Sequence, residues 1–445
     1  MARDPQDILG SLIQAARRAG ADAADALYIE SVSSSVSYRL GKLEDVERAE
    51  GADLGLRVFV GQKVAFVSST DLSQDATAAL PGRALAMARL APEDKFAGLA
   101  PKEKLARNIP ALDLEDAAEP SADRLIELAR EVEGAAMAVK GITNSEGGGA
   151  SFSRSAVALA TSEGFYGRYA GTSHSIGVAV LAGADTGMER DHDFATARHT
   201  GDLESAAEVG RRAGERTVKR LNPRKVKSQA VPVAFDPREA ASLIGHFAGA
   251  ISGTSIARGV SFLKDRMGQA VFAPGVTVID DPHRMRGLRS KPFDGEGVAN
   301  QRRALIDKGV LTTWLLDCAS ARQLGLETTG HAARGTGGPP APSATNLYLE
   351  PGPLSPQALI ADIRQGFYVT ELMGMGVNGV TGDYSRGAAG FWIENGELAY
   401  PVSEVTIAGN LKDMFAQLTP ANDLVFRQGT NAPSIRVEGM TIAGA

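Results

Sequence analysis

The stretch from Phe367 to Asn410 constrains the fold of this chain more than any other. It opens with an apolar, strand-like run, Phe367 to Leu372, and continues through a glycine-dense region from Gly374 to Gly390. Three further strand-like runs come after it, at 391–393, 398–400 and 402–407, and Asn395-Gly396 separates the first two. Asn-Gly is the pair that a two-residue hairpin turn favours, because both central positions need positive φ. The stretch therefore predicts antiparallel strands. So much glycine predicts repeated turns, or backbone that another group approaches closely.

Gly374-Met-Gly376-Val-Asn-Gly379 matches the spacing of a dinucleotide-binding loop. That chemistry needs a helix directly after the loop, so that its N-terminus can face the pyrophosphate. The next residues, Val380 to Gly390, have no helical pattern, and the glycines read as turns.

A chain of 445 residues exceeds one hydrophobic core. The pattern changes at Asn222-Pro223, which places a boundary near residue 225. The prediction is a two-domain α+β protein with mixed helices and largely antiparallel sheets. Residues 1–225 form an N-terminal α+β domain and residues 226–445 a β-rich C-terminal one.

In the first half, Asp4 and Pro5 start a helix whose apolar face is Ile8, Leu9, Leu12, Ile13 and Ala16, and Gly20 ends it. Strands are expected at 26–36, 43–48, 54–60 and 63–68, then a helix over 72–90 that Pro81 breaks or kinks. Residues 91–120 read as a long surface connection, and 121–139 as an amphipathic helix. Short strands are expected over 141–199, with Gly147-Gly148-Gly149 as a turn, and a helix over 203–221. In the second half a strand at 231–235 runs into a helix beginning at Asp236-Pro237, and Gly330 to Ser343 reads as a mobile loop.

Several function classes are excluded early. A net charge of −6 offers no bulk attraction to nucleic acid or anionic lipid. A single cysteine, Cys318, excludes an intrachain disulfide and a thiolate cluster, and its apolar setting reads as a small buried hydrophobe. No positively charged start precedes an apolar run and no stretch is long and apolar enough to cross a bilayer, so a cytoplasmic protein is expected. Neither a Gly-x-Ser-x-Gly elbow nor a phosphate-binding Walker loop occurs.

Four clusters could carry chemistry. On the helix after Asp236, Glu239 and His246 lie two turns apart on one face, a carboxylate and an imidazole without the second imidazole of a zinc peptidase. Asp191-His192-Asp193 with His199 offers metal donors in what reads as an exposed loop. Asp280, Asp281 and His283 with Asp294 and Glu296 could gather round a cation, although Asp-Pro and Asp-Gly are also ordinary turn chemistry. The basic run from Arg211 to Lys227 could hold phosphate or be a solvated helix face leading into a linker.

Arg238-Glu-Ala-Ala-Ser-Leu243, Gly249-Ala-Ile-Ser-Gly253, Pro292-Phe-Asp-Gly-Glu-Gly297, Trp314-Leu-Leu and the run from Val369 to Asp413 resemble the TldD/PmbA family, and within it the PmbA branch, also called TldE. The resemblance covers nearly the whole chain and is densest after residue 230. It implies a cytoplasmic metallopeptidase assembly, a TldD-type subunit paired with a TldE-type one, acting on unfolded peptides. Family members are also described as modulators of DNA gyrase.

The metal-bearing branch has His-Glu-x-x-x-His on this helix and a cysteine near the C-terminus. Laid on this chain, the histidines fall on Arg238 and Leu243, the general base on Glu239, and residues 426–434 hold no cysteine. A guanidinium and an alkyl chain have no lone pair to offer a metal. The resemblance therefore implies no metal in this chain, zinc in a TldD-type partner, and an orphaned Glu239. It also implies that Gly374, Gly376, Gly379, Gly387 and Gly390 lie by the substrate path or the partner interface, where peptide backbone adds as a strand. The competing readings are a peptidase active alone with an atypical site, and a regulatory binding protein acting on gyrase or a toxin–antitoxin system. A homodimer when the partner is absent also stays open.

Overall fold

The computed structural model describes residues 4–444. The reading that no leader opens the chain falls partly on residues 1–3, outside that range. Helix α1 (Pro5–Ala19) starts where Asp4 accepts the backbone N–H of Gln6 at 2.9 Å and stops at Gly20, whose φ is 108°. Beyond it the chain forms the strands β1 (Ala23–Arg39), β2 (Lys42–Val60), β3 (Lys63–Ser69), β4 (Ile142–Thr161), β5 (Tyr166–Ala182) and β6 (Glu189–Ala197). They make one antiparallel sheet in the order β3-β2-β1-β4-β5-β6. Helices α2 (Gln74–Leu90), α3 (Ala122–Met137) and α4 (Ala206–Lys219) complete this half.

Strand alternation decides how the sheet is covered. Ala24, Ala26, Val36, Ala150, Ala158 and Ala160 point to one face, where the four helices pack. Leu27, Ile29, Val157 and Leu159 point to the other and pack against Phe293, Val298 and Cys318 of the second half. Around Leu27 and Leu159 both faces are covered, and there the sheet joins the halves, while residues 42–51 of β2 stand exposed.

Several local expectations are corrected. The runs at 43–48 and 54–60 are one strand, and 141–199 holds three continuous strands rather than many short ones. Gly147 to Gly149 lie inside β4, where a Cβ on Gly148 would stand 2.5 Å from the Ala129 carbonyl, so glycine there admits α3. Pro81 does not break α2; its fixed φ suits a helix, and burial of Leu80, Ala84, Leu85 and Ala88 offsets the lost hydrogen bond. The 91–120 segment is a partly buried strap. Leu105, Leu112 and Leu114 are buried, and Ala106 N–H donates to the Gly297 carbonyl at 2.9 Å.

The second half is built on a sheet of β7 (Gln229–Phe235), β8 (Gln365–Met373), β9 (Asp383–Glu394), β10 (Glu397–Asn410), β11 (Leu418–Pro420) and β12 (Ile435–Ala443). Its order is β10-β9-β8-β7-β12-β11, and β10 also pairs with β12, so the sheet curls back on itself. The β9–β10 hairpin turns at Asn395 and Gly396, with φ of 51° and 83°, as its sequence demands. Helix α5 (Pro237–Ala250) packs Leu243, Ile244 and Phe247 into the largest core, where Phe247 meets Phe272 edge to face at 5.1 Å. A second sheet of short strands lies beside it. The architecture is α+β, with mixed helices and mostly antiparallel sheets.

The segment from Gly330 to Ser343 is an ordered insertion between the halves. Ala332–Ala333 pair with Ala341–Pro342, and Arg334, almost wholly buried, reaches Asp25 of β1 at 2.9 Å. Arg57 of β2 pairs with the same carboxylate, its Nε 3.0 Å from Oδ2. Burial alone would raise the Asp25 pKa, and the fields of Arg334 and Arg57 reverse that and hold it below the usual range. Composition could not reveal this because the partner lies some 300 residues away, across the interface.

Asp25→Ala leaves buried Arg334 without a counter-charge and Arg57 with Glu296 alone, at 3.7 Å, and is expected to cost about 3–5 kcal/mol in a denaturant titration. The double variant Asp25→Ala/Arg334→Met should recover part of that loss. Simple additivity of the two changes would contradict the coupling.

Candidate functional site

Helix α5 begins directly after β7, with Asp236 accepting the Arg238 backbone N–H at 3.0 Å. Its first turn therefore lies at the end of a central strand. The Arg238 side chain folds back: Nη1 lies 2.9 Å from Asp191 Oδ1 and Nε lies 3.1 Å from Asp236 Oδ1. Asp191 is also 3.7 Å from Arg220. Two positions along β6, Asp193 is fully buried and takes Arg212, Arg216 at 3.1 Å and Arg427 at 3.2 Å.

This corrects the reading of Asp191-His192-Asp193 as an exposed loop with metal donors. The segment is a strand, both carboxylates are buried, and guanidinium groups occupy them. His199 lies elsewhere, its Nε2 2.9 Å from the Asp113 carbonyl. The phosphate reading of the basic run is corrected as well. Arg212, Arg216 and Arg220 are spent on these acids, Arg211 pairs with Glu208 and Glu215, and Lys225 lies 2.8 Å from Glu404.

Residues 427–432 reach the same place. Asn431 Oδ1 accepts the N–H groups of Arg427 at 2.9 Å and Gln428 at 3.1 Å, which fixes the turn. Between this turn and the start of α5 is a cavity of about 440 Å³, lined among others by His192, Arg216, Arg238, Glu239, Asp423 and Arg427. Helix start and C-terminal segment, linked only by resemblance in the sequence, thus face each other.

Glu239 projects into this cavity, and among the described residues its carboxylate has no hydrogen-bond or ion-pair partner. Burial pushes its pKa up to about 7; Asp236 adds to the rise, while Arg238 and Arg386 oppose it. Leu243 is fully buried in the core. His246 does not join Glu239: it lines a neighbouring cavity of about 370 Å³ with Val260, Phe262, Met375, Gly379 and Arg386.

The residues present do not fit a catalytic metal. Arg238 fills the acidic corner with a permanent cation, Leu243 offers no donor, and Glu239 and His246 open into different cavities. Among the described residues no three His, Cys, Asp or Glu side chains converge as metal donors. The Asp280 cluster does not gather round a cation either. Asp280 accepts Thr345 N–H and Oγ1, both at 2.6 Å; Asp294 accepts the N–H groups of Glu296, Val298 and Ala332; Glu296 accepts Cys318 N–H at 2.8 Å. Cys318 is buried, which pushes its thiol up.

The five glycines differ in what they do. Gly374 has a φ of 78°, Gly376 and Gly379 lie in the turn between β8 and β9, and Gly387 and Gly390 lie within β9. A Cβ would stand 2.0 Å from the Ser385 carbonyl at Gly376 and 1.9 Å from the Tyr368 carbonyl at Gly390, whereas Gly379 has open space. Beside this turn stand two residues to which the sequence reading gave no role, Tyr384 and Arg386. Their period-two spacing immediately after the turn places them on one face of β9, a signal visible only once that strand's start is known.

Models of the PmbA/TldA metallopeptidase match in three parts: domain 1 over residues 24–89, the central domain over 115–221 and the C-terminal domain over 228–444. The chain is 42% identical over 425 residues to metalloprotease PmbA of Escherichia coli O157:H7, covering 95% of this chain and 92% of that one. It is 38% identical to a metalloprotease PmbA homolog of Haemophilus influenzae, covering 97% and 94%. Among solved structures, a proposed modulator of DNA gyrase from Bacteroides thetaiotaomicron superposes with a TM-score of 0.92 at 26% identity over 100% of both chains. TldE from Thermococcus kodakarensis has the same fold, with a TM-score of 0.87 at 22% identity over 98% of this chain and 99% of that one.

A carboxyl whose folded pKa is raised binds extra protons when folded between its unfolded value near 4.5 and about 7, so folding weakens as pH rises through that window. Glu239→Gln should therefore raise stability at pH 8 by about 1–2 kcal/mol, allowing for residual solvent contact, and change nothing below about pH 4. Denaturant titrations at the two pH values check this. Gly376→Ala should cost about 1–3 kcal/mol by forcing the turn off β9, whereas Gly379→Ala should be near neutral. Equal melting temperatures for the two glycine variants would refute that contrast.

Proposed function

The chain belongs to the PmbA/TldD metallopeptidase family, and on that premise we propose that it is the metal-free subunit of a two-subunit peptidase acting on unfolded peptides in the cytoplasm. The observation that carries the reading is Arg238, tied to Asp191 and Asp236 at the position where the metal-bearing branch places its first histidine. Leu243 in the core and a C-terminal turn without cysteine point the same way. Peptide as the substrate class is supported by the metalloproteases to which the chain is similar over nearly its whole length.

In this reading zinc belongs to a partner subunit of the His-Glu-x-x-x-His type. This chain contributes a rigid wall and assembly surface. Glu239 stands without the metal-bound water that a general base would deprotonate. The turn from Gly374 to Gly382 would then flank the substrate path or the partner.

The test is a mixing experiment. The isolated chain should hold less than about a tenth of an equivalent of zinc and cut nothing. With a zinc-bearing His-Glu-x-x-x-His subunit it should co-elute as a heterodimer that cleaves unfolded peptide, and Glu239→Gln here should change that rate less than about twofold. About one equivalent of zinc in the isolated chain, lost on changing Glu239 or His246, would overturn the proposal.

A further inference from the structure

The cavity beside His246 holds polar groups that the fold leaves unused. Its walls are largely apolar, with Val260, Phe262, Met375, Val377 and Leu411 among them. At one side stands Arg386, a half-buried guanidinium whose one hydrogen bond is a long contact of Nε with the Met373 carbonyl, at 3.4 Å. Among the described residues it has no acidic partner, unlike the arginines gathered at β6. His246 Nε2 is buried and makes no hydrogen bond.

Tyr384 packs edge to face on the His246 ring, with centroids 6.2 Å apart. Tyr384, only 1% exposed, lies behind the cavity wall with its hydroxyl beside the Arg386 guanidinium. A buried polar atom without a partner, as His246 Nε2 is, costs about 1–3 kcal/mol, and a fold carries such a cost where something else supplies the partner.

We propose that this cavity is a carboxylate-binding subsite that takes the C-terminal residue of a peptide with an apolar side chain. A carboxylate has the acceptors that a guanidinium fork and an imidazole N–H together seek. The apolar walls fit an aliphatic side chain, and about 370 Å³ lies at the small end of ligand pockets. Alternative charge chemistry fits poorly. A cationic ligand would meet Arg386, and burial and that same guanidinium both hold His246 toward its neutral form. Glu239, whose field reaches Tyr384, is itself pushed up to about 7 and opposes a second anion only weakly. Exposed Met375 and Val260 give the mouth an apolar rim. That the carboxylate belongs to a peptide rests on the function proposed above; that the site takes a carboxylate does not.

The test is calorimetric titration of the full chain with N-acetyl-Leu-Leu, its C-terminal amide, and free leucine. The acid should bind, with the amide and free leucine each about tenfold weaker or worse. Arg386→Met should weaken the acid at least about tenfold and leave the amide unchanged. An unchanged melting temperature for Arg386→Met guards against a folding effect. Equal binding of acid and amide, or no binding of either at millimolar concentration, overturns the subsite, and leucine binding as well as the dipeptide overturns the peptide assignment.

The two readings fail separately. A chain that binds the acid yet never assembles with a zinc-bearing subunit defeats the proposed function and keeps the carboxylate site. A chain that assembles and supports cleavage while binding acid and amide alike defeats the subsite alone.

Discussion

A carboxylate removed from water has to be neutralised in place, and Asp193 is the point where this chain meets that requirement most heavily. Fully buried on β6, it collects guanidinium groups from α4 and from the turn at Arg427. Asp191, on the same strand, collects Arg238 from α5 and Arg220 from the end of α4. Separating any one of these elements would strand a buried charge, a loss of several kcal/mol. The strand, two helices and the C-terminal turn are held as one unit, and the cavity in front of Glu239 takes its shape from them.

A zinc ion and a guanidinium group solve the same electrostatic problem in different ways. Each is a fixed positive charge among acids, able to lock a helix to a strand and a distant turn. A metal with an open position can lower the pKa of a bound water. A guanidinium cannot; its donors are used up and it offers no site to a water's lone pair. Glu239 shows the limit of the guanidinium's field: burial pushes its carboxyl up to about 7 although Arg238 and Arg386 oppose the rise.

Elements whose determinants are local were legible in the sequence. Asp4, Pro5 and Gly20 bound the first helix, Asp236 and Pro237 start α5, and Asn395-Gly396 turns the hairpin, each through a cap or φ requirement within a few residues. Errors came where a remote partner overrides composition. Gly148 reads as a turn until α3 is placed against it, and the Gly330–Ser343 segment reads as mobile until Arg334 finds Asp25. The acids of β6 suffered the same fate: MERDHDFATARH looks solvated because arginines up to 234 positions away are invisible in a local window. Arg238 and Leu243 were legible as non-ligands from residue type alone. That Glu239 and His246 open into separate cavities was not, since their spacing puts them on one helical face.

Helix α5 separates two environments by placing different residues at its two ends. Its first turn, beside β6, holds Arg238 between Asp191 and Asp236 and leaves Glu239 unpaired among the described residues. Two turns on, beside the Gly374–Gly382 turn, Arg386 has no acid within ion-pair distance among the described residues, and His246 Nε2 has no hydrogen-bond partner. The arginine at the start of the helix is fixed by the fold, whereas the guanidinium and imidazole beyond its other end face a cavity. Arg386 and His246 Nε2 are therefore better explained by what can enter that cavity than by what the fold requires.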